Sequence, residues 1–208
     1  MTVLALEFSS DRRSVALARG GEVLAEAVQQ TEARATDALG LIEKVLADAK
    51  ITREEIEVVA VGLGPGSYTG IRAAIAVAQG WQLATGVKVI GVGSTEALAA
   101  QAQAEKIFGR VNVVVDAQRG EFYLGVWEIS ADSRVELVPL RIVAAAEIEA
   151  LKIAGETCVG PGHSELFPAA AAVARLAAGR NDFVAGEHLE PVYLRAAAFV
   201  KTAAARVI

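Results

Sequence analysis

The densest concentration of residues suited to chemistry is the run Gly62-Leu63-Gly64-Pro65-Gly66-Ser67-Tyr68-Thr69-Gly70-Ile71-Arg72. A strand pattern enters it and a helix pattern leaves it. Its amides therefore gather at a helix N-terminus, where partial positive charge favours anions. Its glycines permit positive φ and close approach of a ligand or of another backbone segment. The spacing is not GxxxxGK[ST], and no lysine follows to neutralise a phosphate. Two readings stay open: an anion-binding turn, or a tight strand-to-helix turn without a ligand.

Two acids form the second feature. Glu7 ends the first apolar run and is followed by Ser9 and Ser10, and Asp116 ends a similar run later in the chain. Acids at equivalent strand ends can face a cleft and hold magnesium or the polar groups of a nucleotide. They also occur as solvated strand ends or capping partners. Glu7, Ser9 and Asp116 are thus candidate cofactor ligands with no base or lysine beside them. Zinc chemistry is not expected, because the chain has one cysteine, Cys158, and two separated histidines, His163 and His188. Cys158 sits in a strand-like setting and reads as a small buried group. Neither histidine has a sequence companion that would make it a base, so both read as structural or surface residues.

Composition narrows the class. The 208 residues are 53% hydrophobic and 22% charged, which excludes a largely disordered chain. The net charge of −5 argues against a broad basic face that grips nucleic acid unaided. The mean hydropathy of +0.40 comes largely from alanine and valine, and no membrane-length uncharged run exists. One cysteine suits a reducing compartment. The opening MTVLALEFSS lacks a basic leader region, so a cytoplasmic location is expected.

The elements that must position these residues follow from periodicity. Strands are expected at residues 3–10, 14–18 and 22–30, the last two joined by a Gly20-Gly21 hairpin turn. A helix over 36–49 carries a wide apolar stripe, with Thr36 as N-cap and Asp37 in its first turn. A strand at 57–63, a helix over 68–84, a strand at 88–92 and a helix from Ser94, capped by that serine, complete a first unit. Strands at 111–116, 121–129 and 136–143, a helix over 144–151, a strand at 157–159 and a helix over 164–178 repeat the opening order in shorter form. A last helix is expected over 195–207. The pattern predicts an α/β chain of two related lobes with mixed sheets, residues 1–107 and 108–194, the second abbreviated and the tail returning to the first. The helix from Thr69 is thin, with Ala73, Ala74, Ala76, Ala78 and Gly80 along it. Thin helices allow close helix approach. Its apolar surface is explained either by a partner subunit or by ordinary packing on the lobe's own sheet.

GLGPGSYTGIR resembles the GxGPGSFTGLR signature of the TsaB (YeaZ) family. LALEFSS, IGVGSTEALA, VVDAQRGEFYLGVW and PVYLR resemble further family segments, in family order, across nearly the whole chain. The resemblance implies an actin-like ATPase (ASKHA) fold with an RNase H-like unit in each lobe. It implies a role in the threonylcarbamoyl modification of adenosine 37 in tRNAs that read ANN codons. It further implies a non-catalytic subunit that activates TsaD, with TsaE as an additional partner and tRNA contacted only through the complex. No cofactor is expected on the isolated chain, whereas ATP and magnesium would belong to the complex.

On this reading the first two helices contact TsaD, or a second copy of the chain in a homodimer. Leu39, Ile42, Leu46, Ile71, Ala74, Ile75 and Ala78 are the expected contacts, and arginine at Ala74 or Ala78 is expected to break pairing while sparing the fold. Gly64, Pro65, Gly66, Ser67, Thr69, Gly70 and Arg72 form the signature loop. Two departures stand out: the usual Asp-Thr after the first strand is Glu7-Phe8, and the usual His-Ser-Glu before the first helix is Ala35-Thr36-Asp37. The rival expectation is an ATP-dependent enzyme or peptidase of the same superfamily, using Glu7, Asp116, Ser67 and Thr69.

Overall fold

A computed structural model describes residues 1–30 and 37–194. The expected helix over 195–207, Thr36 and Ala35 lie outside the described residues. Three strands open the chain, β1 (Thr2–Glu7), β2 (Arg12–Arg19) and β3 (Glu22–Gln30), followed by α1 (Ala38–Ala49), β4 (Val58–Gly62), α2 (Tyr68–Thr85), β5 (Lys88–Val92) and α3 (Ser94–Ala104). Then come β6 (Gly109–Gln118), β7 (Glu121–Ile129), β8 (Arg134–Ala144), α4 (Ala145–Ile153), β9 (Thr157–Val159) and α5 (Ala170–Ala178).

The two sheets have orders β3-β2-β1-β4-β5 and β8-β7-β6-β9. In each, a central strand pairs antiparallel with the next strand and parallel with a later one, β1 with β2 and β4, β6 with β7 and β9. The second sheet therefore repeats the first without its last strand. This is the actin-like ATPase fold, two RNase H-like lobes with the second abbreviated. β1 and β4 are buried on both faces, which is why they read as nearly continuous apolar runs rather than alternating ones.

Alternation along β1 sends Leu4 and Leu6 to one face and Val3 and Ala5 to the other. The first face packs on α1 and α2, the second on α5 and part of α3. Leu98, Ala99 and Ala102 of α3 also bury against β6, so α3 ties the two sheets together. The outer face of the second sheet is covered by α4 through Ile148, against Val114, Leu124 and Val143.

Several expectations need correction. β1 stops at Glu7 rather than at Ser10. The N-cap of α1 is Asp37, whose carboxylate accepts the Gly40 amide at 3.0 Å, rather than Thr36. Ser94 is the first residue of α3 and does not cap it; Gly93 holds that place and the serine hydroxyl is engaged elsewhere. The helix expected over 164–178 begins only at Ala170, because Pro168 keeps its predecessor extended. The lobe boundary shifts as well. α5 packs on the first sheet, Val184 bridges Val89, and the Val192 amide bonds the Leu63 carbonyl at 2.9 Å. Residues 170–194 thus return to the first lobe and do not belong to the second.

The return of α5 has a polar anchor. Its N-terminus follows Ala169 and has no cap of its own. Its first amides are bonded across the fold, Ala170 to the Ser14 hydroxyl at 2.8 Å and Ala171 to the Glu26 carboxylate at 3.1 Å. Donors that a helix start leaves unpaired are satisfied by side chains of β2 and β3.

Candidate functional site: the glycine loop and the cleft mouth

The loop from Gly64 to Ser67 joins β4 to α2, with a cis Gly64-Pro65 peptide. Backbone from two other segments closes onto it. The Ser67 amide bonds the Ser9 carbonyl at 2.7 Å, and the Ser94 amide bonds the Gly64 carbonyl at 2.8 Å. A Cβ on Gly66, which has φ +148°, would lie 2.1 Å from the Ser9 carbonyl oxygen. One on Gly70 would lie 2.0 Å from that of Phe8. These glycines are present because the loop and the start of α2 are pressed onto the end of β1.

Glu7 lies beneath the loop. It is fully buried, its Oε1 accepts the Ser9 amide at 2.8 Å and its Oε2 accepts the Ser94 hydroxyl at 2.7 Å. The Ser94 oxygen in turn accepts the Gly64 amide at 3.0 Å. Burial pushes the Glu7 carboxyl above its ordinary value, against the lowering effect of its hydrogen bonds with Ser9 and Ser94. Gly62 completes the fit, since a Cβ there would meet the Glu7 carboxylate at 2.0 Å. Glu7 is a structural acceptor that links β1, the glycine loop and α3. Sequence reasoning missed Ser94 as its partner, because a serine at a helix start resembles a cap.

Asp116 is placed differently. It is exposed and lines the cleft between the lobes, where its two oxygens accept the backbone and side-chain N–H groups of Gln118, both at 2.7 Å. The cleft has a volume of about 380 Å3 and is also lined by Ser9, Asp11, Gly66, Ser67 and Tyr68. Glu7 is not among its lining residues, so the two acids do not face one another across it, contrary to expectation. Ser9 is buried, with its hydroxyl beside the Glu7 carboxylate.

The fold implies a nucleotide with magnesium in such a cleft, but the residues present do not fit one. Among the described residues the lining carries Asp11 and Asp116 and no lysine or arginine, so phosphate charge has no counterpart there. The acid at the end of β1 is withdrawn into the core, and the Gly64 and Ser67 amides are already bonded. The hydroxyls of the enzymatic alternative are no better placed. Ser67 Oγ caps α2 by accepting the Gly70 amide at 3.3 Å, and Thr69 is exposed on the first turn of α2. Among the described residues no group of three metal-ligating side chains occurs. Cys158 is half-buried with its thiol pushed up by burial, and His163 stacks edge-on against Phe122 with centroids 5.5 Å apart.

The signature arginine joins an aromatic cluster at the cleft mouth. The Arg72 guanidinium lies 5.2 Å from the Tyr68 ring centroid, Tyr193 lies close enough to help hold its pKa above the ordinary arginine value, and the two rings are 5.8 Å apart. The start of α2 is thereby linked to the chain's returning segment. Tyr193 lies in the PVYLR segment, so that motif has a structural counterpart in the glycine-loop signature.

The expected partner contacts require the largest correction. Ile42, Leu46, Ile71, Ala74, Ile75 and Ala78 are all buried in the chain's own first core, facing β1 and β4. They cannot touch a partner, and arginine at Ala74 or Ala78 would break the fold. Only Leu39 is on the surface, at 67% exposure. The outward side of α2 instead presents Tyr68, Arg72, Ala76, Gly80 and Leu83, the last at 91% exposure. Helical spacing of apolar residues identifies a buried face but not whether the burial is intramolecular.

Comparison with known proteins places this geometry. The family described as "TsaD: tRNA N6-adenosine threonylcarbamoyltransferase" matches residues 18–206. An uncharacterized protein of Mycobacterium tuberculosis is 33% identical over 206 residues, covering 93% of this chain and 92% of that protein. The tRNA threonylcarbamoyladenosine biosynthesis protein TsaB of Escherichia coli is 29% identical over 227 residues, with 94% and 95% covered. A solved Pseudomonas aeruginosa structure described as similar to peptidase YEAZ superposes with a TM-score of 0.80 at 25% identity, covering 93% of this chain and 99% of that one.

Proposed function

This chain belongs to the TsaB (YeaZ) family of tRNA threonylcarbamoyladenosine biosynthesis proteins, and from that premise we propose that it is a non-catalytic subunit that binds and activates TsaD. The observation that carries the reading is exposed surface on the first two helices: Leu39 stands out from α1, and on α2 Leu83 is exposed on the same side as the small residues Ala76 and Gly80. A helix pair of the partner packs against these positions, and the absence of a Cβ at Gly80 allows close approach. The buried Ile42, Ile71 and Ala74 support this face from behind instead of touching the partner. In the absence of TsaD the same face closes on a second copy of the chain.

TsaE joins the TsaD complex, and tRNA is held through the complex rather than by this acidic chain alone. ATP and magnesium are used on the other subunits. The withdrawal of Glu7 from the cleft and the lack of basic lining there support a role without nucleotide. The work is expected in the cytoplasm; among the described residues no helix is long and apolar enough to cross a membrane.

Affinity co-purification with TsaD from the same organism tests the reading. The wild-type chain is expected to form a stable complex, and Leu39→Arg with Leu83→Arg is expected to abolish it while circular dichroism stays unchanged. Undiminished complex formation by that double variant refutes the placement. A chain that ignores TsaD and hydrolyses ATP refutes the function.

A further inference from the structure

α2 runs for 18 residues and carries a single charged side chain, Arg72. That side chain stands on the exposed stripe of the helix, one turn before Ala76, two before Gly80 and three before Leu83. Arg19, Arg53, Arg110, Arg141 and Arg180 each pair with a carboxylate of the chain. Arg72 forms no ion pair among the described residues. Its guanidinium lies over the Tyr68 ring, 5.2 Å from the centroid, with the Tyr193 ring 5.8 Å from that of Tyr68.

This setting presents the cation rather than consuming it. A guanidinium stacked by its face keeps in-plane N–H donors for a further acceptor. The stack also takes up side-chain freedom before a partner arrives, which lowers the cost of docking. Exposed tyrosine and arginine together are the residue types that most often anchor protein interfaces. A helix packed on Ala76 and Gly80, at an axis separation of about 8–10 Å, covers Arg72 on the same stripe. A covered cation without an acceptor is costly, and the two tyrosines hinder its retreat to solvent. The covering helix must therefore supply a carboxylate.

We propose that Arg72 is the selectivity contact of this face, pairing with an aspartate or glutamate on the TsaD helix that packs against α2, a role that rests on the assignment of the face to TsaD. The stripe thus accepts an acidic helix and discriminates against one without acids. α2 is itself a helix without acids, so a second copy of the chain docked α2 to α2 leaves both Arg72 side chains without an acceptor from the facing helix. Arg72 favours TsaD over self-association.

The test is a calorimetric titration of the full chain with TsaD from the same organism. Arg72→Met is expected to weaken binding by about thirtyfold or more, the scale for removing one partner of a covered charge pair, with a melting temperature close to that of wild type. Its self-association, followed by light scattering, is expected to be unchanged or stronger. Raising sodium chloride is expected to weaken the wild-type complex more than the variant complex. Arg72→Glu is expected to abolish binding, and lysine in place of one helical carboxylate of TsaD to restore it. Unchanged affinity in Arg72→Met, with wild type binding and Leu39→Arg with Leu83→Arg failing to bind, overturns the role of Arg72 alone. Equal losses of TsaD binding and of self-association in Arg72→Met also overturn it, because they mark a damaged face and not a lost charge pair. A wild-type chain that ignores TsaD overturns the function and this contact together.

Discussion

Glu7 and Ser94 lie 87 positions apart in sequence and share a 2.7 Å hydrogen bond inside the core. The same serine oxygen receives the Gly64 amide, so one carboxylate and one hydroxyl tie the end of β1, the glycine loop and α3 into a unit. The acid that could have served a nucleotide in the cleft instead holds the loop closed. The bond makes the loop's shape depend on two residues outside its own signature.

Truncating this carboxylate should unfold rather than inactivate. Glu7→Ala leaves the Ser9 amide and the Ser94 hydroxyl without their buried acceptor and opens a void. The expected loss of stability is about 2–5 kcal/mol, from unmet hydrogen-bonding groups and lost packing together. Urea denaturation measures it. A loss below about 1 kcal/mol, the range of ordinary surface changes, would show that the network does not hold the loop.

The same carboxyl makes stability depend on pH. Burial raises its folded-state value above the ordinary 4.5. Between the two values the native chain binds more protons than the unfolded chain, so this group's contribution falls as pH rises through that window. Glu7→Gln removes the titration. Its amide oxygen accepts the Ser9 N–H, but its NH2 faces Ser94, whose proton then lacks an acceptor. The variant is therefore expected to be less stable than wild type at about pH 5 and to close the gap towards pH 8. A gap that stays constant across that range would refute the raised value.

Two glycines of α2 should respond in opposite ways to alanine. At Gly70 the new Cβ meets the Phe8 carbonyl at 2.0 Å, and backbone cannot easily yield, so a loss of about 1–3 kcal/mol or more is expected. At Gly80 nothing lies within 4 Å, so Gly80→Ala should stabilise the isolated chain by about 1 kcal/mol through helix propensity. If α2 is the docking helix, the same change weakens capture of TsaD. Thermal melts and co-purification of both variants separate the effects. Stronger melting with undiminished capture at Gly80 would move the partner away from α2.

Order along the chain was legible because the sheets announce themselves. Two meanders, each begun by a buried apolar strand ending in an acid, predict two related lobes with mixed sheets, and the strand orders agree. What was not legible depends on contacts distant in sequence. The stripe of Ile42 and Leu46 says that a face is buried, but the choice between partner and own sheet is made by β1 and β4. Glu7 and Asp116 look equivalent in sequence, yet one is enclosed by Gly62 and Ser94 while the other is exposed near the end of β6, bonded by Gln118. The return of α5 to the first lobe was hidden for the same reason, since its caps come from Ser14 and Glu26.

That return yields the last prediction. Ser14 is nearly inaccessible and its hydroxyl is the acceptor for the first amide of α5, 156 positions later. Ser14→Ala leaves that donor unpaired at a helix start with no local cap. Loss of a cap costs about 0.5–2 kcal/mol, and burial of the unpaired amide places the cost near the upper end. Because α5 covers the face of the first sheet that carries Val3, Ala5 and Ala60, the effect should spread beyond the helix. Hydrogen exchange is expected to quicken in α5 and in β1 together, as one opening unit. Faster exchange confined to the first turn of α5 would mean instead that the helix frays without releasing the sheet.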